Sequence, residues 1–376
     1  MKGKPYQDEI KMTSIDEFEI LHENKYYKYY VNGEWRAPKE NRYIPIKNPL
    51  NEEIIGHISA CNTDEIDEIV QFSNNNKGCW ADTPLEERAT ILNAAATLMD
   101  EWAEELGDIL VREIGKPVNS ARGEIKRTAK IFRATAEAKE VFTGETKKGD
   151  IFMKKYRDKI SLTFRVPLGV ILCIGPFNYP FNLTGSKIAP ALMAGNAVVM
   201  KPPTEGAITA LHFGVILEKA GVPPGVFNIA TGRGSEIGDY LVSHPKIDMV
   251  SFTGSSKTGQ HIAEIVGMKP LLLELGGKDA AIVLDDADIE KTADSIISGA
   301  FKYNGQRCTA VKRVLVMPQI ADKLIVVITE RAKHLSIGDP AENKNIGPLI
   351  DAKQCDYVQG LIDDALEKGA ELKCGN

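Results

Sequence analysis

"GVILCIGPFNYP", residues 169–180, sets an unbroken apolar run against a turn built from Gly, Pro and Asn. A short apolar run with such punctuation reads as a strand buried on both faces. A helix is expected over 184–194, and the alternation then continues. Strands are expected at 196–201 (NAVVMK), 226–231 (VFNIAT), 248–252 (DMVSF) and 270–275 (PLLLEL), with helices over 207–220, 235–242 and 255–266. This order predicts an α/β fold with a doubly wound parallel sheet. Ligands of such sheets lie beyond the carboxyl ends of the strands. Asn178, Lys201, Thr253 and Glu274 fall at those ends.

Upstream, residues 63–141 carry helical patterning, with acidic starts and Gly ends. Residues 153–167 read as a polar hairpin with its tip near Arg157 and Asp158. Residues 27–35 and their neighbours read as strand, turn and strand about Asn32-Gly33. Residues 1–26 are polar and read as a loose start. Downstream of Leu275 a second α/β unit is expected, with a last strand beginning at 370–373. The reading therefore divides the chain into 1–275 and 276–376.

Composition narrows the function classes. The 376 residues hold 46 Lys and Arg against 52 Asp and Glu, 46 − 52 = −6. An acidic chain has no overall field that steers it to nucleic acid. The start lacks the apolar core of a secretory signal. The longest apolar stretch, 167–177, is too short to span a bilayer. The 6 cysteines form no CxxC pair. That argues against a metal site or a disulfide framework, and for a reducing, cytoplasmic setting.

Cys308 stands in "NGQRCT", residues 304–309. Most cysteines are small buried residues, and Cys173, inside its apolar strand, fits that description. Cys308 has polar or small neighbours and lies between a helix and a strand, where functional residues concentrate. An ordinary thiol is mostly protonated near neutral pH, so a nucleophilic cysteine needs a nearby cation or N–H donors. The 6 histidines, His22, His57, His212, His244, His261 and His334, stand in no catalytic motif. Glu274, in "LLLELGGKD", places a charge near the end of an apolar strand, which is unfavourable without a role or a partner. It reads either as a general base or as an ordinary strand-end carboxylate. Asn178 reads as a turn former or as an amide donor to an oxyanion. "FTGSSKTG", residues 252–259, opens a helix with N–H groups suited to a phosphate, but is neither a P-loop nor GxGxxG. Lys201 in "MKPPTE" is either solvated or placed to hold a ribose or its phosphate.

Together, "GPFNYP", "MKPPTE", "FTGSS", "LELGGKD" and "NGQRCTA", in this order, resemble the aldehyde dehydrogenase superfamily. "EIGKPVNSARGEIKRTA" and "GQRCTAVKRVLV" are similar to its NADP-dependent, non-phosphorylating glyceraldehyde-3-phosphate branch. The resemblance implies a Rossmann-like cofactor domain, a second, incomplete α/β catalytic domain and a hairpin used for oligomerisation, in homotetramers. It implies Cys308 as nucleophile, Asn178 with the Cys308 N–H as oxyanion donors, and Glu274 as the base that hydrolyses a thioester. Arg127, Asn178, Tyr179, Arg307 and Thr309 are implied around a small phosphorylated aldehyde. From the residues alone Arg127 reads as a solvated helix arginine. Gly175, Lys201, Thr204, Asp239, Thr253, Gly254, Ser255 and Leu275 are implied at the cofactor. Thr204 replaces a glutamate that would repel a 2′-phosphate, so NADP is expected, with NAD left open by the adjacent Glu205. Lactaldehyde and succinate semialdehyde are alternative substrates. Relatives run past this C-terminus, so the resemblance reads the chain as a shortened form. Its activity and assembly are then in question, and a non-catalytic derivative is the competing class.

Overall fold

The structure is a computed structural model that describes residues 26–375. The loose start expected over 1–26, and His22 with it, therefore lies outside the described residues except for Tyr26. β1 (Tyr26–Tyr27) opens the described chain. β2 (Tyr29–Val31) and β3 (Glu34–Arg36) form a hairpin about Asn32 and Gly33, at φ 52° and 80°. Two successive left-handed residues match the right-handed twist of the flanking strands, as the Asn-Gly pair predicts. β4 (Tyr43–Lys47) runs antiparallel to β5 (Ile54–Ser59), and β1 joins β5 in parallel.

Four helices follow: α1 (Thr63–Ala81), α2 (Leu85–Glu101), α3 (Ala103–Ile114) and α4 (Val118–Glu137). α1 starts in a reciprocal cap. Asn62 Oδ1 accepts from the Glu65 N–H at 3.0 Å, and Glu65 Oε2 accepts from the Asn62 N–H at 2.8 Å. α4 buries Ala121, Ile125, Ala129, Phe132 and Ala136, a stripe at helical spacing, and leaves Arg127 exposed.

The hairpin differs from expectation. Its second strand, β7 (Ile160–Thr163), lies inside 153–167, but its partner is β6 (Glu145–Lys148), further upstream. Residues 149–159 form the connection. Every residue of both strands is exposed, so no buried alternation marks β6 in the sequence.

The expected sheet is present. β8 (Val170–Ile174), α5 (Asn182–Met193), β9 (Ala197–Lys201), α6 (Ala207–Ala220), β10 (Phe227–Ile229), α7 (Gly234–Ser243), β11 (Met249–Thr253), α8 (Ser256–Ile265) and β12 (Leu271–Glu274) alternate along the chain. The strand order is β10-β9-β8-β11-β12, all parallel. Every residue of β8, β9 and β10 is buried. The order reverses between β8 and β11, and the crevice beyond their carboxyl ends is the expected ligand position. β12 is an edge strand that alternates between half-buried and exposed residues, with Glu274 exposed. The unfavourable placement expected for this carboxylate is thus relieved: the edge of the sheet leaves it in water.

The remaining elements are β13 (Asp279–Val283), α9 (Ile289–Phe301), β14 (Val311–Val316), α10 (Pro318–Lys333) and α11 (Ala352–Glu367). β13 and β14 pair in parallel, and the local core is small: Val283, Ala293, Ile296 and Leu324. Residues 370–373 are irregular backbone, so the last expected strand is not formed. Gly369, at φ 90°, follows α11 and turns the chain away.

Candidate active site

Two charged side chains, fully buried, hold the floor of the crevice. The α3–α4 loop sends Lys116 inward, where it pairs with Glu124 of α4. Burial pulls the Lys116 pKa below the ordinary lysine value, and Glu124 pulls it part of the way back. Glu124 Oε1 accepts from the N–H groups of Phe181 and Asn182, both at 3.1 Å, at the start of α5. α5 has no cap of its own, so this carboxylate supplies one from another helix. Glu113 of α3 does the same for α6. Its oxygens accept from the N–H groups of Ile208 at 2.6 Å and Thr209 at 2.9 Å.

The turn between β8 and α5 carries Asn178 and Tyr179. The Asn178 carbonyl accepts from Lys116 Nζ at 2.6 Å. Its side-chain Nδ2 donates to the Gln306 carbonyl at 2.8 Å, which leaves one amide hydrogen for a ligand. Asn178 Oδ1 is buried without a partner among the described residues. Tyr179 lies with Lys116 Nζ 3.6 Å from its ring centroid and the Arg127 guanidinium carbon 5.8 Å away. Burial raises the Tyr179 pKa, while Arg307 and Arg127 oppose the rise. Of the expected substrate residues, Arg127 reaches the Tyr179 ring, although from the residues alone it read as a solvated helix arginine, while the Arg307 guanidinium donates to the Gly299 carbonyl and acts on Tyr179 through its charge.

Cys308 is half-buried and follows an unusual turn. Tyr303, Asn304 and Gly305 sit at φ 55°, 54° and 70° in succession. Left-handed backbone is unfavourable for a tyrosine and persists where the surroundings over-determine it. The Tyr303 hydroxyl donates to the Ile114 carbonyl at 2.7 Å. Asn304 Nδ2 donates to the carbonyls of Gly347 and Pro348 at 2.9 and 2.8 Å, and its Oδ1 accepts from the Gly347 N–H at 3.0 Å. Gln306 Oε1 accepts from the Ile350 N–H at 3.0 Å. Among the described residues, no hydrogen bond takes the Cys308 N–H. Lys312 Nζ donates to the Arg307 carbonyl at 2.8 Å and lies 3.5 Å from the Cys308 carbonyl. Sequence reading did not single out this lysine. Thr309 is exposed.

Glu274 ends β12, and Gly276-Gly277 carries the chain toward the cysteine. A Cβ on Gly277 would stand 3.5 Å from the Cys308 carbonyl oxygen. Lys187 on α5 was also missed. It is buried, its pKa is drawn down by burial, and Cys173 and Glu274 oppose that shift, so it shares the neighbourhood of the carboxylate. A lysine inside a helix carries no sequence mark of burial.

The expected cofactor residues ring the carboxyl ends of β8, β9 and β11. A Cβ on Gly175 would stand 1.9 Å from Thr184 Oγ1, so backbone and α5 approach closely there. Lys201 is buried, donates to the Pro202 carbonyl at 2.9 Å, and burial lowers its pKa to about 8. Thr204 is half-buried in the same turn. Thr253 Oγ1 is buried with no partner, and it leads through Gly254 to Ser255, which caps α8 by accepting from the Thr258 N–H at 3.1 Å. Leu275 packs so closely on Gly259 that a Cβ there would come within 2.4 Å. Asp239 stands apart on α7, exposed, and is hydrogen-bonded to His261 at 3.0 Å. An orphaned hydroxyl, a buried lysine and a helix N-terminus in one crevice fit a phosphate-bearing dinucleotide.

The fold is that of an oxidoreductase class, and the aldehyde dehydrogenase family model matches residues 35–376. The chain belongs to the aldehyde dehydrogenase family. It is 48% identical over 347 residues to the NADP-dependent glyceraldehyde-3-phosphate dehydrogenase of Streptococcus equinus, covering 92% of this chain and 72% of that one. The pea (Pisum sativum) protein of the same name is 44% identical, covering 92% and 70%. Among solved structures, the NADP-dependent glyceraldehyde-3-phosphate dehydrogenase from Bacillus halodurans C-125 complexed with NADP superposes with a TM-score of 0.91. It is 47% identical and covers 94% of this chain and 74% of that chain.

Proposed function

We propose that this protein oxidises glyceraldehyde 3-phosphate to 3-phosphoglycerate with NADP, through a thioester on Cys308. The observation that carries the substrate is the Arg127 guanidinium over the Tyr179 ring, beside Asn178, with the Arg307 charge acting on the same tyrosine. Two guanidinium groups suit a phosphate. The relatives of that name support the reading. In this reading residues 1–275 hold the cofactor and residues 276–376 bring the nucleophile.

Cys308 Sγ attacks the aldehyde carbon, forming a C–S bond as the carbonyl electrons move onto oxygen. The free Asn178 amide hydrogen and the Cys308 N–H stabilise that oxyanion. Lys201, Thr204, Thr253 and Ser255 hold the cofactor, with Gly175 and Gly254 allowing close approach. When bound, it supplies the acceptor for the hydride that leaves the aldehyde carbon. Glu274 then takes a proton from water, the hydroxide adds to the thioester carbon, and the C–S bond breaks to release the carboxylate and the Cys308 thiolate.

We also place the protein in the cytoplasm as a homo-oligomer that contacts neither nucleic acid nor membrane. All 6 cysteines are free, and no helix among the described residues is long and apolar enough to cross a membrane. Steady-state kinetics on an aldehyde panel tests the substrate. Glyceraldehyde 3-phosphate should exceed glyceraldehyde, lactaldehyde and succinate semialdehyde in kcat/KM by at least about 100-fold, as loss of a charged pair implies. Equal values with and without the phosphate would overturn the choice.

A further inference from the structure

The chemistry above leaves Lys116 and Glu124 without a task, yet both are fully buried directly beneath it. A buried ion pair is a poor source of stability, because desolvation offsets most of the attraction. Its position is more informative than its strength. Lys116 Nζ has three hydrogens and three places to direct them: the Glu124 carboxylate, the Asn178 carbonyl at 2.6 Å and the Tyr179 ring face at 3.6 Å. The Tyr303 ring centroid lies 4.9 Å away. Tyr303 belongs to the turn that delivers Cys308, and its hydroxyl is bound two residues before Lys116, at the Ile114 carbonyl. One ammonium group thus touches the oxyanion turn and the cysteine turn together. Gly115 beside it is at φ 65°, and a Cβ there would come within 2.7 Å of Pro348, a residue whose carbonyl anchors Asn304.

We propose that the Lys116–Glu124 pair is the positioning element of the oxyanion site, fixing the Asn178 peptide and the Tyr179 ring against the turn that carries Cys308. Neither residue touches the reacting atoms. They act through Asn178, so the inference rests on the oxyanion role given to that residue above. With the ammonium gone, the Asn178 carbonyl loses its buried donor and the peptide is free to turn, taking the side-chain amide out of register. A displacement of about 1 Å in such a group lowers a rate by about 100-fold.

The test is a double-mutant cycle on the single-turnover burst of NADPH, measured on the full chain with glyceraldehyde 3-phosphate. The pair is neutralised together as Lys116→Met with Glu124→Gln, so that no charge is stranded. The burst rate should fall about 30- to 100-fold, while the NADP Kd stays within about twofold and Tm is unmoved or raised. Asn178→Ala should slow the burst about 100-fold or more. In the Asn178→Ala background, neutralising the pair should then add less than about threefold, since there is no longer an amide to misplace. Full multiplicative loss in that background overturns the positioning role while leaving the Asn178 assignment intact. An unchanged burst in Asn178→Ala overturns both. Loss of NADP affinity and Tm in step with the burst shows a merely structural pair, and also overturns the inference. If the neutralised pair does not fold, Lys116→Arg, which keeps the charge but moves the donors, is read in the same cycle with the same criteria.

Discussion

The two parallel sheets of this protein are built differently. In the first, β8, β9 and β10 are buried along their whole length, sealed between α2 to α6 on one side and α1, α7 and α8 on the other. In the second, β13 and β14 expose most of their residues over a core of a few side chains. Cys308, the proposed nucleophile, belongs to the second. Its placement therefore does not come from its own core. It comes from polar anchors: Tyr303 to Ile114 and Asn178 to Gln306 join the cysteine turn to the first half, and Asn304 ties it to the 347–348 strap. The binding half is held by apolar packing, and the reacting half by a small number of directional bonds.

If that division is right, the two halves fail separately. The largest effect is expected for Cys308→Ala, which should reduce oxidation by about 10⁴-fold or more while leaving NADP affinity and Tm near those of the parent. A tenfold change in NADP Kd, read by fluorescence titration, would break the separation. Glu274→Ala should slow steady-state turnover by about 10²- to 10³-fold and yet leave the first-turnover burst of NADPH. Absence of that burst would move Glu274 into the first half-reaction. Asn304→Ala removes three hydrogen bonds and forces alanine into left-handed backbone. The burst should slow about tenfold, with faster amide exchange over 302–310 and no change over β8 to β10. Asn304→Gly, which loses the bonds but not the backbone freedom, should recover about 1 kcal/mol of the stability lost by alanine.

The smallest effect concerns pH. The buried Lys201 amine is brought down to about 8. A 2′-phosphate beside it would raise that value in the complex, so the complex binds more protons than the free protein above pH 8. NADP affinity should then be constant below about pH 7 and fall as pH rises through 8, by at most tenfold per unit. Lys201→Met should abolish this slope. NAD, which lacks the phosphate, should show little slope even in the parent.

Sequence reading succeeded where one physical signal dominates. Full burial of β8 to β10 leaves short, largely apolar runs, and the 3.6 spacing of the α4 stripe is plain at Ile125, Ala129, Phe132 and Ala136. Cys308 drew attention because polar company is unusual for a cysteine, whereas Asn178 by itself read equally as a turn former, and the structure joins the two turns through the Asn178 bond to the Gln306 carbonyl. Reading failed where the signal was absent or shared. β6, "ETKK", is a strand with no buried face to give it a period. Glu274 drew attention as a charge on an apolar strand, but its exposure follows from β12 being the edge, which no local pattern reveals. Glu113, Glu124 and Lys187 are charged residues in helices and Lys116 stands in a short loop between two of them, a composition that ordinarily marks a solvated face. Only the tertiary packing turns them inward.

The glutamates that cap α5 and α6 bear on the order in which the protein is made. Glu113 and Glu124 are translated well before Ile208, Thr209, Phe181 and Asn182, whose N–H groups they receive. On the ribosome, the α3–α4 pair emerges first and presents two fixed acceptors to helices that have none of their own. Each later helix can then nucleate on a template already in place, and the nascent chain assembles its cofactor crevice in the direction of synthesis.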